Sequence, residues 1–370
     1  MPRSLKYTVI GAGNGGKAMA AHLALMGKEV TLYNRTESRI EDIKELGSIR
    51  LESYEGGPHG IGQIKLVTSD MGEALEKADM VMVVVPASAH ASIALKAAPH
   101  LHDGQVVILH PGRTGGALEF AKVLRDSKCS AAVKVAEAAT FIYASRSEGP
   151  AEARIFRIKN AVGLAALPAT ETQDILNKLK DVYPEFVDGK SVLHTGLNNM
   201  GAMFHPALTL LNSGRIESTA GDFQFYIDGV TKSTARVLEV LDRERVTVAS
   251  AVGVRARTAL EWLYMAYNVQ GENIFEAMQN QTGYYGIKAP KTLNHRYIYE
   301  DVPMSLVPIA SLAKRYGVSV RGIESTIRLA CFIHQTDYWR RGRTLEKLGI
   351  AQYSVTELRE FVNHGTKLRK

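Results

Sequence analysis

At 370 residues with 45% hydrophobic content, the chain is long enough to bury two sizeable cores. Its net charge of +7 is spread along the sequence, which argues against a nucleic-acid partner and suits small anionic ligands held in a cleft. Two cysteines, Cys129 and Cys331, are too few for a disulfide framework, and the longest apolar run, 80–86, is far short of a membrane span, so a cytoplasmic protein without a membrane partner is expected.

The first half alternates β-branched runs with helical periods. Residues 7–10 are predicted as a strand that follows Met1–Lys6 with no signal-type stretch between, and 14–26 as a helix ended by Gly27. A strand over 29–33 and a helix over 37–46 follow, then strands at 64–67, 80–85 and 105–109 with helices near 71–77 and 88–98 between them. The continuous apolar run 80–85 suits a sheet covered on both faces. This alternation predicts an α/β fold, a doubly wound and mainly parallel sheet of the Rossmann type. Beyond Glu137 strands are predicted at 153–156 and 162–167 and a helix at 171–182. From Ser191 onward helical periods take over, at 192–212, 222–252, 256–267, 304–316, 322–336 and 355–362, with no strand. An all-α second domain is therefore expected, the division falling so that 1–188 binds dinucleotide and 189–370 carries substrate. The basic run 367–370 reads as a solvated terminus.

Gly11-Ala12-Gly13-Asn14-Gly15-Gly16 lies between the first strand and the first helix, the context a GxGxxG dinucleotide loop requires. Gly11 allows the tight turn, Gly13 lets backbone approach a pyrophosphate, and Gly16 lets helix and strand pack closely. The free N–H groups of the helix N-terminus suit the phosphates. At the end of the second strand an acid would bind the ribose 2′-hydroxyl of NAD, but Asn34-Arg35-Thr36 stands there. Arg35 can pair with a 2′-phosphate, so NADP is favoured; nearby Glu37 keeps NAD as the alternative. Pro86, Ala87 and His90 follow the buried strand 80–85 and are expected at the nicotinamide end. A second glycine-rich turn, 110–119, contains Arg113 and is expected to contact cofactor or substrate. No metal is expected.

The acid–base group must come from elsewhere. His205 is the candidate, because Asn198, Asn199, Gly201 and Pro206 around it are unusual inside a plain helix and suggest one shaped around a ligand. The 298–303 stretch offers Asp301, which on local grounds reads as a helix N-cap ahead of Pro303.

Six segments together resemble the opine dehydrogenase family, the octopine and nopaline dehydrogenases, over nearly the whole chain: 11–16, 110–116, 137–143, 198–206, 225–231 and 295–303. The resemblance implies a helical second domain of the 6-phosphogluconate dehydrogenase type and a catalytic dyad at His205 and Asp301, the aspartate orienting the imidazole. It implies that Arg296 holds a substrate carboxylate and that Thr140 lies near a bound oxo acid; Arg113, Asn198, Asn199 and Thr231 are further expected substrate contacts. The implied reaction is reductive condensation of an amino acid with a 2-oxo acid, with a homodimer left open. The absent acid on the second strand departs from an NAD-type pattern, and Ala138-Ala139 are less polar than expected before Thr140. Two other readings compete: an NADP-dependent dehydrogenase of a hydroxy acid or alcohol, of glycerol-3-phosphate or 2-hydroxy-acid type, and a dinucleotide sensor without turnover.

Overall fold

A computed structural model describes residues 4–365; the basic run 367–370 lies outside the described residues. Among the described residues twelve strands occur, in chain order β1 Lys6–Ile10, β2 Glu29–Tyr33, β3 Ser48–Ser53, β4 Gly60–Gln63, β5 Leu66–Thr68, β6 Met80–Val83, β7 Val106–Leu109, β8 Lys134–Ala138, β9 Tyr143–Gly149, β10 Glu152–Ile158, β11 Val162–Leu167 and β12 Phe186–Asp188. Eight of them form one sheet in the order β12-β11-β8-β7-β6-β1-β2-β5. All neighbours pair in parallel except β8 with β11. The chain leaves β1 towards β2 and β5, then returns to lay β6 on the other side of β1. The sheet order therefore reverses beside β1, which puts the glycine loop after β1 at the topological switch point, where such sheets bind ligands.

Side-chain chemistry explains the central strands. In β6 and β7 every residue is buried, as expected of β-branched and long apolar side chains in a sheet covered on both faces. The predicted Rossmann-type, mainly parallel sheet is thus present. A second sheet of four strands, β4-β3-β10-β9, was not anticipated. Its strands β3 and β10 alternate buried and exposed residues, the pattern of a sheet with one face in water; the predicted strand 153–156 falls within β10, whereas the polar half of β3 hides it in a search for apolar runs. β8 was missed for a related reason, since Glu137 sits in its middle. The predicted helix 37–46 is a 3₁₀ turn, Glu37–Arg39, followed by a short helix Glu41–Leu46.

The chain separates into two compact units. One comprises the residues up to Gly112, Gly116–Thr195 and the stretch from Glu360; the other comprises Arg113–Gly115 and Gly196–Arg359. The second unit is helical, and among the described residues its one β feature is an isolated bridge between Gln224 and Lys288. Several predicted helices are divided or shortened. The run 192–212 breaks into Val192–Leu197 and Gly201–Leu211. The run 222–252 becomes helical only at Lys232, where Thr231 and Thr234 form a reciprocal capping box. The run 304–316 starts earlier, with a π-helical turn Val302–Leu306 before the helix Val307–Arg315. Pro303 and Pro308 lie in the first two positions of these segments, where a missing N–H costs little.

Two histidines in the first unit are held neutral. Burial lowers the His110 imidazole to about 3, and neither ring nitrogen has a hydrogen-bond partner in its apolar surroundings. Burial likewise lowers His22 to about 4, while its Nδ1 lies 2.8 Å from the Tyr143 hydroxyl. Both would take up a proton only on unfolding, from an ordinary value of 6.5. Their contribution is complete above that value and is lost as pH falls through the window towards the folded values. Each should cost about 1.4 kcal/mol per pH unit below pH 6.5. Urea unfolding at pH 7 and pH 5 should therefore give a lower midpoint at pH 5, with His110→Leu flattening the dependence; equal slopes in the two proteins would exclude His110 as a source.

Candidate functional site

In the first unit the glycine loop is shaped by contact. Gly11 has φ of +113°, and a Cβ there would lie 2.4 Å from the Val84 carbonyl oxygen. A Cβ on Gly16 would sit 1.6 Å from the Gly11 oxygen, so the helix Asn14–Leu25 can pack against this turn only with glycine there. Gly13 differs, because a Cβ there would meet nothing within 4 Å. Its bare backbone faces open space at the start of the helix, a cradle that fits a pyrophosphate. Gly15 packs on Phe141, whose ring a Cβ would approach to 2.6 Å.

The polar residues around this loop are partly structural. Asn34 accepts the Ala12 N–H at 3.2 Å and donates to the Thr36 carbonyl at 2.8 Å, tying the loop to the end of β2. The Asn14 side chain accepts the Ser147 N–H at 3.0 Å. Arg35 is exposed just beyond β2 and makes no ion pair among the described residues. Pro86 is exposed, but Ala87 and His90 are 1% and 0% exposed. His90 is therefore corrected from a cofactor contact to an interior residue, packed beside Gly116 at the base of its helix. Thr140 is half-buried, and its hydroxyl accepts from Lys159 Nζ at 2.7 Å; the same ammonium donates to the Phe141 carbonyl at 2.8 Å. Lys159 is a charged neighbour that no sequence signal singled out.

The second unit brings together residues almost a hundred positions apart. His205 lies in the helix Gly201–Leu211, and its Nδ1 is 2.8 Å from Oδ2 of Asp301. Pro206 follows it inside the helix and cannot donate to the carbonyl one turn back; Thr209 Oγ1 donates to the His205 carbonyl at 2.7 Å. Asp301 stands where the π-helical turn begins, yet its side chain makes no capping bond. The N-cap reading is thereby overturned, because the carboxylate points to the imidazole instead. Glu300 and Asp301 are both fully buried. Arg113, 12% exposed in its side chain, places Nη1 3.2 Å from Asp301 Oδ1 and Nε 3.4 Å from Glu300 Oε1. Arg296, one turn before Glu300 and 45% exposed, pairs with Glu300 Oε2 at 2.7 Å.

Electrostatics favour an ionised Asp301 here. Burial pushes the Asp301 carboxyl up, but the Arg113 guanidinium and the His205 hydrogen bond outweigh it and hold it below its ordinary value. Burial pulls Arg113 down, and Asp301 and Glu300 reverse that to a net rise. Two tyrosines complete the setting. Tyr297 stacks on the His205 ring at 3.9 Å between centroids, and Tyr226 Oη lies 3.1 Å from His205 Nε2. Burial, with Tyr297 and Tyr284 nearby, pushes the Tyr226 phenol well above its ordinary value, so it stays a protonated hydroxyl. Tyr226, Tyr297 and Glu300 were missed as site residues, although all three fall inside the segments 225–231 and 295–303 that carried the resemblance.

Three expected substrate contacts serve other purposes here. Asn198 Oδ1 accepts the Arg257 N–H at 2.8 Å, and Asn199 Nδ2 donates to Ser305 Oγ at 2.9 Å, so both amides hold the break between two helices. Thr231 is the N-cap of the helix Lys232–Ala251.

A dinucleotide cradle in a Rossmann unit, with a buried histidine–aspartate pair in a helical unit, defines a nicotinamide-dependent dehydrogenase. The profile of the NAD binding domain of 6-phosphogluconate dehydrogenase matches residues 6–115, and that of the NAD/NADP octopine/nopaline dehydrogenase alpha-helical domain matches residues 188–334. The opine dehydrogenase of Arthrobacter sp. (strain 1C) is 39% identical over 98% of this chain and 100% of its own. Octopine dehydrogenase solved with NADH and L-arginine superposes with a TM-score of 0.83 at 21% identity, covering 99% and 100% of the two chains. Yersinopine dehydrogenase solved with NADP+ gives 0.79 at 15% identity, covering 95% and 99%. The chain belongs to the opine dehydrogenase family and is an NAD(P)-dependent oxidoreductase. The hydroxy-acid reading and the sensor reading both give way to this membership.

The position of Thr231 has a direct consequence. Thr231→Ala should lower stability by about 1 kcal/mol through loss of the cap, read as a drop in thermal midpoint. Michaelis constants should stay unchanged, and a rise in the amino-acid KM with an unaltered midpoint would restore Thr231 to the substrate site.

Proposed function

We propose that this protein joins the amino group of an amino acid to the carbonyl carbon of a 2-oxo acid and reduces the product, with NADPH preferred over NADH. The observation that carries the reading is the 2.8 Å contact between His205 and a buried, ionised Asp301, with Arg296 presented four residues before Glu300. In this reading the first compact unit holds the dinucleotide and the second acts on substrate, the division falling at Thr195–Gly196 and Arg359–Glu360 instead of the expected 188–189. Gly11, Gly13 and Gly16 with the helix N-terminus would hold the pyrophosphate, and Arg35 the 2′-phosphate. When bound, the nicotinamide supplies a hydride to the imine carbon.

The chain's own residues do the rest. Amine and oxo acid combine to a carbinolamine, which loses water to give the imine. Asp301 accepts the Nδ1–H of His205, which fixes the tautomer and leaves Nε2 to give and take the proton that carbinolamine breakdown requires. Tyr226, at Nε2, can donate to the neutral ring and accept from the charged one. Arg296, with its guanidinium partly exposed, holds the oxo-acid carboxylate. Thr140, its hydroxyl polarised by Lys159, is assigned to the oxo-acid side. Octopine dehydrogenase has been solved with agmatine and with pyruvate, which supports an amine and a 2-oxo acid as the two substrate classes. Both cysteines are free thiols, which suits a reducing cytoplasm.

NADPH oxidation should require both a 2-oxo acid and an amino acid; full activity with the oxo acid alone would refute the condensation. His205→Ala should lower kcat by about 10²- to 10⁴-fold with cofactor affinity intact, and a wild-type rate would exclude the dyad. Arg35→Ala should weaken NADPH binding by roughly tenfold or more while sparing NADH, in line with a lost charge-assisted pair. Equal losses for the two cofactors, measured by fluorescence titration, would remove Arg35 from the phosphate.

A further inference from the structure

We propose that Arg113 is a positioning residue, the buried counter-ion that holds Asp301 against His205, and that it does not take a substrate carboxylate. This rests on the acid–base role assigned to His205 and Asp301. Asp301 has two oxygens in different employment: Oδ2 meets His205 Nδ1 at 2.8 Å, and Oδ1 meets Arg113 Nη1 at 3.2 Å. The second contact is an ion pair without good hydrogen-bond geometry, so its effect is mainly charge. Arg113 Nε also faces Glu300 Oε1 at 3.4 Å. One guanidinium thus spans two carboxylates that are adjacent in sequence and both fully buried.

The backbone is arranged for this purpose. Arg113 has φ of +59°, in the left-handed region that a long side chain occupies only when its surroundings hold it there. The restraint comes from the next residue. Thr114 N–H donates to the Met304 carbonyl at 3.2 Å, its hydroxyl donates to the Gly196 carbonyl at 2.9 Å, and Arg343 Nη1 donates to its carbonyl at 3.2 Å. Room for the guanidinium is left by Gly201, where a Cβ would lie 3.0 Å from Arg113 Nη1 and 3.2 Å from the His205 ring.

Charge then separates the two arginines. Arg113 and Arg296 balance Glu300 and Asp301, leaving the cluster neutral while His205 is neutral. Turning Arg113 towards substrate would strip that balance from two buried acids, whereas Arg296 is 45% exposed and can extend beyond Glu300. The groups facing Asp301 are Arg113, His205 and Arg296, with Glu300, His295 and Tyr297 around them. Without Arg113, its largest opposing charge, burial drives the Asp301 carboxyl upward, so the acid side of the rate profile moves to higher pH.

The test compares Arg113→Met, Arg113→Lys, Arg113→Ala and Asp301→Asn in the full-length protein, with folding followed by circular dichroism and cofactor binding by fluorescence. Arg113→Met should lower kcat about 10²-fold, leave the oxo-acid KM within about threefold, and raise the acid limb by about one pH unit or more. Arg113→Lys keeps the charge and should keep the acid limb, and added guanidinium should partly restore Arg113→Ala. A large rise in oxo-acid KM at unchanged kcat, in Arg113→Met or in Arg113→Lys should the former not fold, would overturn the proposal in favour of a carboxylate anchor. An unmoved pH profile in Arg113→Met would overturn it too. Asp301→Asn separates the levels: a wild-type rate there defeats the dyad itself, whereas a loss there beside a wild-type Arg113→Met defeats only the role of Arg113.

Discussion

A carboxylate with no exposure to water is costly unless its charge is answered on every side, and Asp301 is answered on two. His205 takes one oxygen and Arg113 faces the other. Much of the helical unit's irregularity serves this arrangement. The chain breaks between two helices at Asn198-Asn199, which are tied down by Arg257 and Ser305. Helical winding widens to a π turn directly after Asp301, and such turns recur at functional sites because they re-aim side chains that a regular helix would misplace. Gly201 keeps the space above His205 clear for a guanidinium.

The Rossmann unit solves a different problem, the close approach of backbone to a phosphate. Gly11 and Gly16 are needed for internal packing, since any Cβ there would collide with main chain. Gly13 is needed for the opposite reason, because the space beside it is open. A single motif therefore contains positions that protect the fold and one that faces the ligand. Asn34 belongs to the first group, as its side chain clamps the loop to β2, whereas Arg35 projects into solvent beyond that clamp. Neighbours 34 and 35 thus differ in kind, one side chain holding the loop and the other left in solvent.

The strands and helices that were legible in the sequence share one property: their apolar pattern is complete over the element. β2 and β6 read clearly for that reason, as does the helix Asn14–Leu25. The second sheet did not, because half of each of its strands faces water and its pairing joins β3 to β10, about a hundred residues away. The break at 198–200 was foreshadowed by Asn198, Asn199 and Gly201, whereas the non-helical stretch 222–231 was invisible; side chains distant in sequence sustain both.

Local residue order by itself determined the dinucleotide loop, the alternation that makes a parallel sheet, the helical second half, and His205 as the acid–base candidate, because each depends on steric or periodic rules acting within a few residues. It also put His90 and Thr231 at ligand contacts, whereas His90 is buried and Thr231 caps a helix, because position along a motif says nothing about which way a side chain faces. Only the tertiary structure decided that Asp301 turns from helix capping to His205, that Tyr226 and Tyr297 frame the ring, and that Arg113 and Arg296 divide two buried carboxylates between them. Apart from Arg296 and Glu300, one helical turn apart, those contacts join residues tens to almost two hundred positions apart, and the strength of charge interactions depends on burial, which exists only once the chain has folded.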